Sequence, residues 1–358
     1  MGALEVYAGP TALAQVQREG VRAASFNTIV GASGGPKWFV LYGLDRYLFG
    51  EFFANRQTPL VTLGSSAGAW RLSCLGLHDP VAGLDRLAKH YSGQRYSATP
   101  TVAEISREAA ALVDIVLGEN GAQEIAEHNF VRVNIVADRG RGLLASERRS
   151  TLMAGLGVSA LTNLLSRRLL GLSFQRIVFH GGPLTKSVGE LEEFATEFVR
   201  LRTSNVRKAL LASGSIPLVL EGVRDIPGAP DGVYRDGGIT DYHFDLPFQS
   251  GEGLVLYPHF YSHFIPGWFD KSLPWRRPRP EHFHNVLVLA PSRDFVSQLP
   301  YGKIPDRKDF ETMDFDTRAA YWQTVLSASA ALADEFAEMV RSGEGLDRIK
   351  PLFASTRK

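Results

Sequence analysis

Ser66 stands in Gly64-Ser65-Ser66-Ala67-Gly68, after an apolar run at Pro59 to Leu63 and before a helix-forming stretch that reaches about Leu77. G-x-S-x-G between a strand and a helix is the nucleophile-elbow pattern. Its small neighbours let the serine sit on a sharp turn without clashing with strand or helix. The turn exposes Oγ beside a helix N-terminus, where unpaired N–H groups and the helix dipole stabilise negative charge. That chemistry is acyl transfer, with Ser66 as nucleophile and the Ala67 N–H as a donor to the oxyanion. The plainer alternative is an ordinary Ser/Gly-rich helix entry.

A second glycine turn lies upstream. Gly31-Ala32-Ser33-Gly34-Gly35 follows the apolar strand candidate Ser25 to Val30, and Pro36 opens a helix expected over Pro36 to Leu48. Proline suits a first helical position, where its missing N–H would have no partner. If the two strands are neighbours, both turns open at the same end of the sheet. Gly34 and Gly35 can then offer N–H groups to a carbonyl held by Ser66, and one such donor is typically worth about 3–4 kcal/mol of barrier. Phosphate loops are excluded. A Walker A loop would need Gly at 36 and Ser or Thr at 38, where Pro36 and Trp38 stand, and a dinucleotide loop would need Gly at Ser33. A glycine turn required only for close packing remains the alternative. Lys37 suits either a phosphate contact or helix capping.

The third element is Asp236-Gly237-Gly238, after a short strand over Gly232 to Arg235. A carboxylate at a strand end beside two glycines can reach a neighbouring hydroxyl unobstructed. The same residues also suit a common hairpin turn.

Taken together, GGPK (34–37), GSSAG (64–68) and DGG (236–238) resemble the patatin-like phospholipase family. The order is similar, as is the spacing of about 30 residues from glycine loop to serine. Ala212-Ser213-Gly214-Ser215-Ile216-Pro217 also looks like the family's Ala-Ser-x-x-x-Pro stretch. The resemblance covers roughly residues 25–240. It implies a three-layer α/β/α sandwich with a mainly parallel sheet. It further implies that Ser66 is the nucleophile and Asp236 its only catalytic partner, with Gly34, Gly35 and Ala67 as the oxyanion hole and no metal or organic cofactor. Gly64, Gly68, Lys37, Gly237 and Gly238 complete the motifs. Two positions depart from the family pattern: Trp38 replaces a glycine after the basic residue, and Gly31-Ala32-Ser33-Gly34-Gly35 replaces Asp-Gly-Gly-Gly.

The implied reaction is hydrolysis of carboxylic esters of lipids through an acyl-Ser66 intermediate. A free aspartate, with a pKa near 3.9, is a weak base for a serine proton. Burial away from water would raise that basicity. Other readings stay open: a Ser-Asp-His triad, a transacylase, a storage-polyester depolymerase, or a lipid-binding protein without turnover. In the triad reading Ser66, Asp236 and one of His243, His259, His263, His282 or His284 follow the order of the α/β-hydrolases. His243 lies closest in sequence to Asp236. His259 and His263 have i, i+4 spacing, but Phe260 stands where a zinc protease needs Glu, and Pro258 and Pro266 oppose a long helix.

Strand, glycine turn, helix, repeated twice in the first 80 residues, is the βαβ rhythm of a parallel sheet covered on both faces. Residues 80–130 read as mostly helical. Further strands are expected at Arg132 to Ala137, Arg176 to His180, Leu254 to Tyr257 and Val286 to Ala290. Helices are expected over Val188 to Leu211 and, as one long element, Arg318 to Val340. Repeats and low-complexity linkers are absent, so residues 1–358 read as one α/β hydrolase domain. Its motif-bearing core spans about 25–240, and residues 241–358 form its C-terminal part.

Composition fits that reading. In 358 residues, 44% are hydrophobic and 22% charged, which excludes a disordered or fibrous chain. A net charge of +1 argues against a dedicated nucleic-acid binder. The one cysteine, Cys74, excludes an intramolecular disulfide and reads as a small core residue. The first residues lack a basic then apolar signal pattern, and uninterrupted apolar stretches of about 18 residues are absent. A cytoplasmic chain that could touch a membrane peripherally is the expectation. Two segments could make that contact. Residues 258–283 hold seven aromatics in 26 positions, with Arg276, Arg277 and Arg279 beside Trp275. Gly155 to Leu172 carries Leu161, Leu164, Leu165, Leu169 and Leu172 with an Arg167–Arg168 pair suited to headgroups. The alternatives are a Pro-rich cap over the sheet edge for the first, and a lid or buried helix for the second.

Overall fold

Residues 26–31 (FNTIVG) and 60–65 (LVTLGS) are rich in apolar residues that do not alternate with charged ones, the pattern of strands covered on both sides. In the computed structural model they form β2 (Phe26–Gly31) and β3 (Leu60–Ser65), parallel neighbours with Gly31 opposite Gly64. The structure describes residues 2–184, 188, 191, 193–248 and 253–353. The remaining strands are β1 (Leu4–Ala8), β4 (Val131–Gly140), β5 (Phe174–His180), β6 (Thr196–Arg200), β7 (Val233–Asp236), β8 (Leu254–Pro258), β9 (Val286–Pro291) and β10 (Lys350–Pro351). They build one sheet in the order β10-β1-β9-β8-β2-β3-β4-β5-β6, with β7 paired to β4. Pairing is parallel except for β1–β9, β4–β5 and β4–β7. The C-terminal strands β8 and β9 therefore lie in the same sheet as β2 and β3.

Every residue of β3, β8 and β9 is buried. A strand buried on both faces requires helices above and below it, so the architecture is a three-layer α/β/α sandwich with a mainly parallel sheet. The helices that position the site are α1 (Pro10–Glu19), α2 (Tyr42–Tyr47), α3 (Ala67–Ser73), α4 (Pro80–Ser92), α5 (Val102–Leu117), α6 (Gly121–Glu127), α7 (Arg149–Leu165), α8 (Thr203–Ser213), α9 (Phe315–Ala328) and α10 (Ala330–Ser342). Among the described residues no helix is long and apolar enough to cross a membrane.

The chain departs from the sequence expectations at four places. The helix expected over Val188 to Leu211 is instead β6 followed by α8, with 189, 190 and 192 outside the described residues. The β6 sequence TEFVR mixes charge with apolar residues because it pairs on one side only, with β5. The long C-terminal helix breaks at Ser329, whose Oγ accepts from the Gly43 N–H (2.8 Å) and donates to the Leu326 carbonyl (2.6 Å). That break seats α2, since a Cβ on Gly43 would lie 2.6 Å from the Ser329 carbonyl oxygen. The helix after Pro36 runs as a 3-10 segment Gly35–Leu41, then α2, then a π-turn Leu48–Phe52. Finally β1 and α1 precede the first expected strand, and β1 pairs antiparallel to β9 at the far side of the sheet.

Buried ion pairs tie loops to this frame. Arg176 on β5 grips Asp241 through two bonds of 2.6 and 2.9 Å, both side chains almost fully buried. Asp138 on β4 accepts from both the N–H and the hydroxyl of Thr240 (3.0 and 2.9 Å). Burial and the nearby Asp241 push the Asp138 carboxyl well above the usual carboxylate range. These bonds fix the loop that leaves β7. Removing one partner of a buried pair leaves an uncompensated charge, at a typical cost of about 3–5 kcal/mol. Arg176→Met is expected to destabilise by about that amount in denaturant unfolding, and Arg176→Met combined with Asp241→Leu to recover part of it. A single variant as stable as wild type would show the pair to be dispensable.

Candidate active site

The two glycine turns do open at the same end of the sheet, because β2 and β3 are parallel neighbours. Ser66 sits between β3 and α3 at φ 52°, ψ −128°, a backbone conformation that non-glycine residues rarely adopt. Steric contact explains both flanking glycines. A Cβ on Gly64 would approach Ala69 to 2.6 Å, and one on Gly68 would approach the Gly31 carbonyl oxygen to 2.0 Å. Helix α3 therefore lies against β2 at van der Waals limit, and Ser66 has little choice of conformation. The Ser66 N–H donates to Ser213 Oγ (2.9 Å), and that hydroxyl donates to the Val136 carbonyl (2.6 Å). Ser213 is thus a positioning residue, contributed by the end of α8.

Asp236 ends β7. Its N–H donates to the Ser215 carbonyl (2.9 Å), so the Ala212–Pro217 stretch holds the backbone of both Ser66 and Asp236. Ser66 Oγ donates to Asp236 Oδ2 at 2.6 Å, across 170 residues of sequence. The other carboxylate oxygen, Oδ1, accepts from the Gly238 N–H at 2.7 Å. One oxygen is pinned and the other faces the serine. The next two residues must be glycine for space: a Cβ on Gly237 would lie 2.2 Å from the Val136 carbonyl, and one on Gly238 would lie 2.4 Å from Ser33 Oγ. Behind them Ser33 and Ser65 share a hydrogen bond of 2.9 Å, and Ser65 donates to the Asp241 carbonyl (2.6 Å).

Both partners are nearly enclosed, Ser66 at 8% and Asp236 at 6% exposure. Burial pushes the Asp236 carboxyl up to about 6, against the hydrogen bonds from Ser66 and Gly238 and the charges of Lys271 and Arg307, which pull it down. The carboxylate is therefore a stronger base than a free aspartate, and it remains ionised at neutral pH.

Gly35 begins the 3-10 segment with φ 55°, and Ala67 begins α3. The first N–H groups of a helix have no acceptor within it. Among the described residues, the Gly34, Gly35 and Ala67 amides donate to no other group of the chain. All three residues line the same cavity as Ser66 and Asp236, about 1510 Å³ in volume. Lys37 pairs with Asp306 across the cavity rim and so ties the glycine loop to the segment before α9. Trp38 is buried against Phe39 and Tyr42, away from the cavity lining.

Of the candidate histidines only His263 lines the cavity, and it bonds neither Ser66 nor Asp236. His243 is fully buried, its Nδ1 accepts from the Ile265 N–H (3.0 Å), and its ring stacks on Tyr242 at 4.4 Å. Burial, with His259 and His263 nearby, holds it well below the usual imidazole range. His259 is buried beside Tyr261, and its Nδ1 accepts from that residue's N–H. His282 pairs with Asp245 at 2.8 Å, and the His284 carbonyl caps the start of α1. Among the described residues no histidine hydrogen-bonds Ser66 or Asp236, and none of the His, Cys, Asp and Glu residues cluster as a metal site. The buried Cys74 has its thiol pushed up to about 12 by burial.

The aromatic stretch 258–283 divides its side chains. Phe260, Phe264 and Phe283 enter the core, while Tyr261, His263, Ile265, Trp268 and Lys271 line the cavity. Sequence reasoning did not anticipate that wall or the roles of Ser213, Ser33 and Ser65. Only the Ser213 stretch carried a signal.

No family model matches this chain, and no curated protein does. Among solved structures, VipD from Legionella pneumophila is similar at 15% identity, with a TM-score of 0.32 over 74% of this chain and 54% of that one. The chain spans about half the length of that structure.

Asp236→Asn tests the burial of the carboxylate. With a folded-state pKa of about 6 against about 3.9 unfolded, ionisation opposes folding as pH rises. Wild type is expected to lose about 3 kcal/mol relative to the variant between about pH 4 and pH 7, with no further change above. Parallel denaturant curves over that range check it. A stability difference that does not move with pH would place Asp236 in contact with water.

Proposed function

We propose that the protein is a serine acyl hydrolase acting on carboxylic esters of lipids through Ser66 and Asp236. The observation that carries this reading is the 2.6 Å bond from Ser66 Oγ to a buried Asp236 carboxylate, made by a serine in a strained elbow conformation. In this reading Ser66 Oγ attacks the acyl carbonyl carbon and its proton passes to Asp236 Oδ2. The oxyanion accepts N–H groups from Gly34, Gly35 and Ala67. As the tetrahedral adduct collapses, the leaving alcohol oxygen takes the proton back from Asp236. Water, deprotonated by the same carboxylate, then releases the acid from the acyl-Ser66 ester. Water displaced by an acyl chain would strengthen each of these interactions, because charges interact more strongly at low dielectric.

The cavity supports an amphiphilic substrate. Its lining includes the apolar Trp70, Ile105, Leu112, Ile216, Leu218 and Ile239. The lining also holds Lys37, Lys271 and Arg307, with Asp306 paired to Lys37. Although Lys271 is an exposed residue, its ammonium lies 3.9 Å from the centroid of the Tyr242 ring. Desolvation, Lys37 and Arg307 push its pKa down to about 8. An anionic headgroup there would relieve the repulsion, which favours phospholipids over neutral esters. A lipid acceptor in place of water would give transacylation by the same acyl-enzyme.

Intact mass after fluorophosphonate treatment tests the nucleophile. One adduct is expected on wild type and on His243→Ala, and none on Ser66→Ala or Asp236→Ala. An adduct that survives Ser66→Ala overturns the assignment, and loss in His243→Ala would restore a triad. For the substrate, ester turnover should rise with pH through about 6 as Asp236 ionises. Lys271→Ala should lower kcat/KM about tenfold for a phospholipid, the loss of one charge-assisted contact, and little for a neutral ester. Equal losses on both substrates would argue against a headgroup contact at Lys271.

A further inference from the structure

Helix α7 is apolar outward as well as inward. Its buried face includes the polar Ser159 and Asn163, and Asn163 donates to Asp270 at 2.8 Å. Its exposed face, from Ser150 to Leu165, carries no charged residue. Met153, Val158, Leu161, Leu164 and Leu165 on this face are 48–81% exposed. Leu143 and Leu172 beside the helix are exposed as well. Trp275, 63% exposed, follows in the chain beside Arg276, which ties its segment to α7 by donating to the Asn163 carbonyl (2.7 Å). A soluble helix normally directs polar residues to water, and an apolar surface of this extent marks a binding face.

The charges around it choose the occupant. From residue 148 to residue 189 the chain holds no Asp or Glu. Arg167, expected from the sequence to meet headgroups, is buried and held by Glu193 and Asp270 (2.9 and 3.0 Å). Arg148 and Arg149 at the start of α7, and Arg168 after its end, are exposed. Arg277 is exposed beside Trp275. An apolar stripe with cations at both ends and a tryptophan at its side matches the interfacial layer of a membrane with negative headgroups. A second copy of this chain would bring the same arginines against one another.

We propose that the exposed face of α7, with Leu172 and Trp275, docks the protein on an anionic lipid bilayer. The helix axis lies in the plane of the surface, and its leucines enter the acyl boundary. Helix α7 also reaches toward the cavity, through residues other than those of this face. The inner residues Leu152 and Leu156 of α7 pack with Phe174 and with Ile239, three residues after Asp236, and Arg149 lines the cavity itself. The proposal does not depend on the assigned reaction.

The test is co-sedimentation of the full chain, carrying Ser66→Ala so that lipid stays intact, with vesicles of phosphatidylcholine alone or mixed with phosphatidylglycerol. Binding is expected to the mixed vesicles and to be much weaker to the neutral ones. Leu161→Asp with Leu165→Asp, at exposed positions, should weaken it by about tenfold or more, through lost apolar contact and added negative charge. Arg148→Gln with Arg168→Gln should weaken binding to the mixed vesicles alone. Tryptophan emission should shift to the blue on binding, less so in Trp275→Phe. Thermal melting of each variant confirms the fold. Failure of the parent protein to bind mixed vesicles, or unchanged binding by the double aspartate variant, overturns the proposal. So does a dimer that this variant dissociates, which would assign the face to a second copy.

Discussion

The approach of α3 to the sheet is the contact on which the site depends. Gly68 passes the Gly31 carbonyl with no room for a methyl group, and Gly64 passes Ala69 in the same way. With both neighbours fixed, the residue between them takes a conformation that costs on the order of 1–3 kcal/mol. The cost falls on Ser66, and the result is a hydroxyl held at the mouth of a parallel sheet beside free N–H groups. Relaxing that turn would move Oγ away from Asp236 and the glycine loop together. Packing and geometry are therefore one constraint here.

Burial of Asp236 sets the chemical character of the site. A solvated aspartate would be too weak a base, and a carboxyl buried without partners would take up a proton and lose its charge. This one lies between those limits. Desolvation raises it to about 6, while the Ser66 hydroxyl, the Gly238 N–H and two nearby cations keep it charged. The ion pair Arg176–Asp241 and the hydrogen bonds from Thr240 to Asp138 stand just behind it and hold the loop that supplies Gly237 and Gly238. They contribute shape more than stability, since a buried pair roughly breaks even against its own desolvation.

The cavity lining combines apolar residues with Lys37, Lys271 and Arg307, and α7, which sends Arg149 to that lining, presents leucines to water. Each feature alone has a simpler structural account. Their adjacency suits a substrate with an acyl chain and a negative headgroup, delivered from a surface made of the same molecules.

Much of the frame was legible in the amino-acid order. Two apolar runs ending in glycine-rich turns identify parallel strands, since only strands buried on both faces read without alternation. The small residues at 64, 68, 237 and 238 mark close approaches that admit no side chain, so the candidate serine and aspartate could be named before any contact was known. What the order could not supply was proximity. Ser66 and Asp236 meet only because β3 and β7 pair with successive stretches of the same edge of β4, opposite β5, so that Ser65 and Asp236 face Val136 and Ala137. Ser213 reaches the Ser66 amide only because α8 packs on β4, and the His243 ring, buried against Tyr242 and His259, bonds neither Ser66 nor Asp236. Segments with ambiguous patterns, β6 and the break at Ser329, were decided by their neighbours rather than by their own residues. Local sequence sets which conformations are sterically allowed. Which groups then lose water together, and so acquire their chemistry, depends on strand order, which no local pattern encodes.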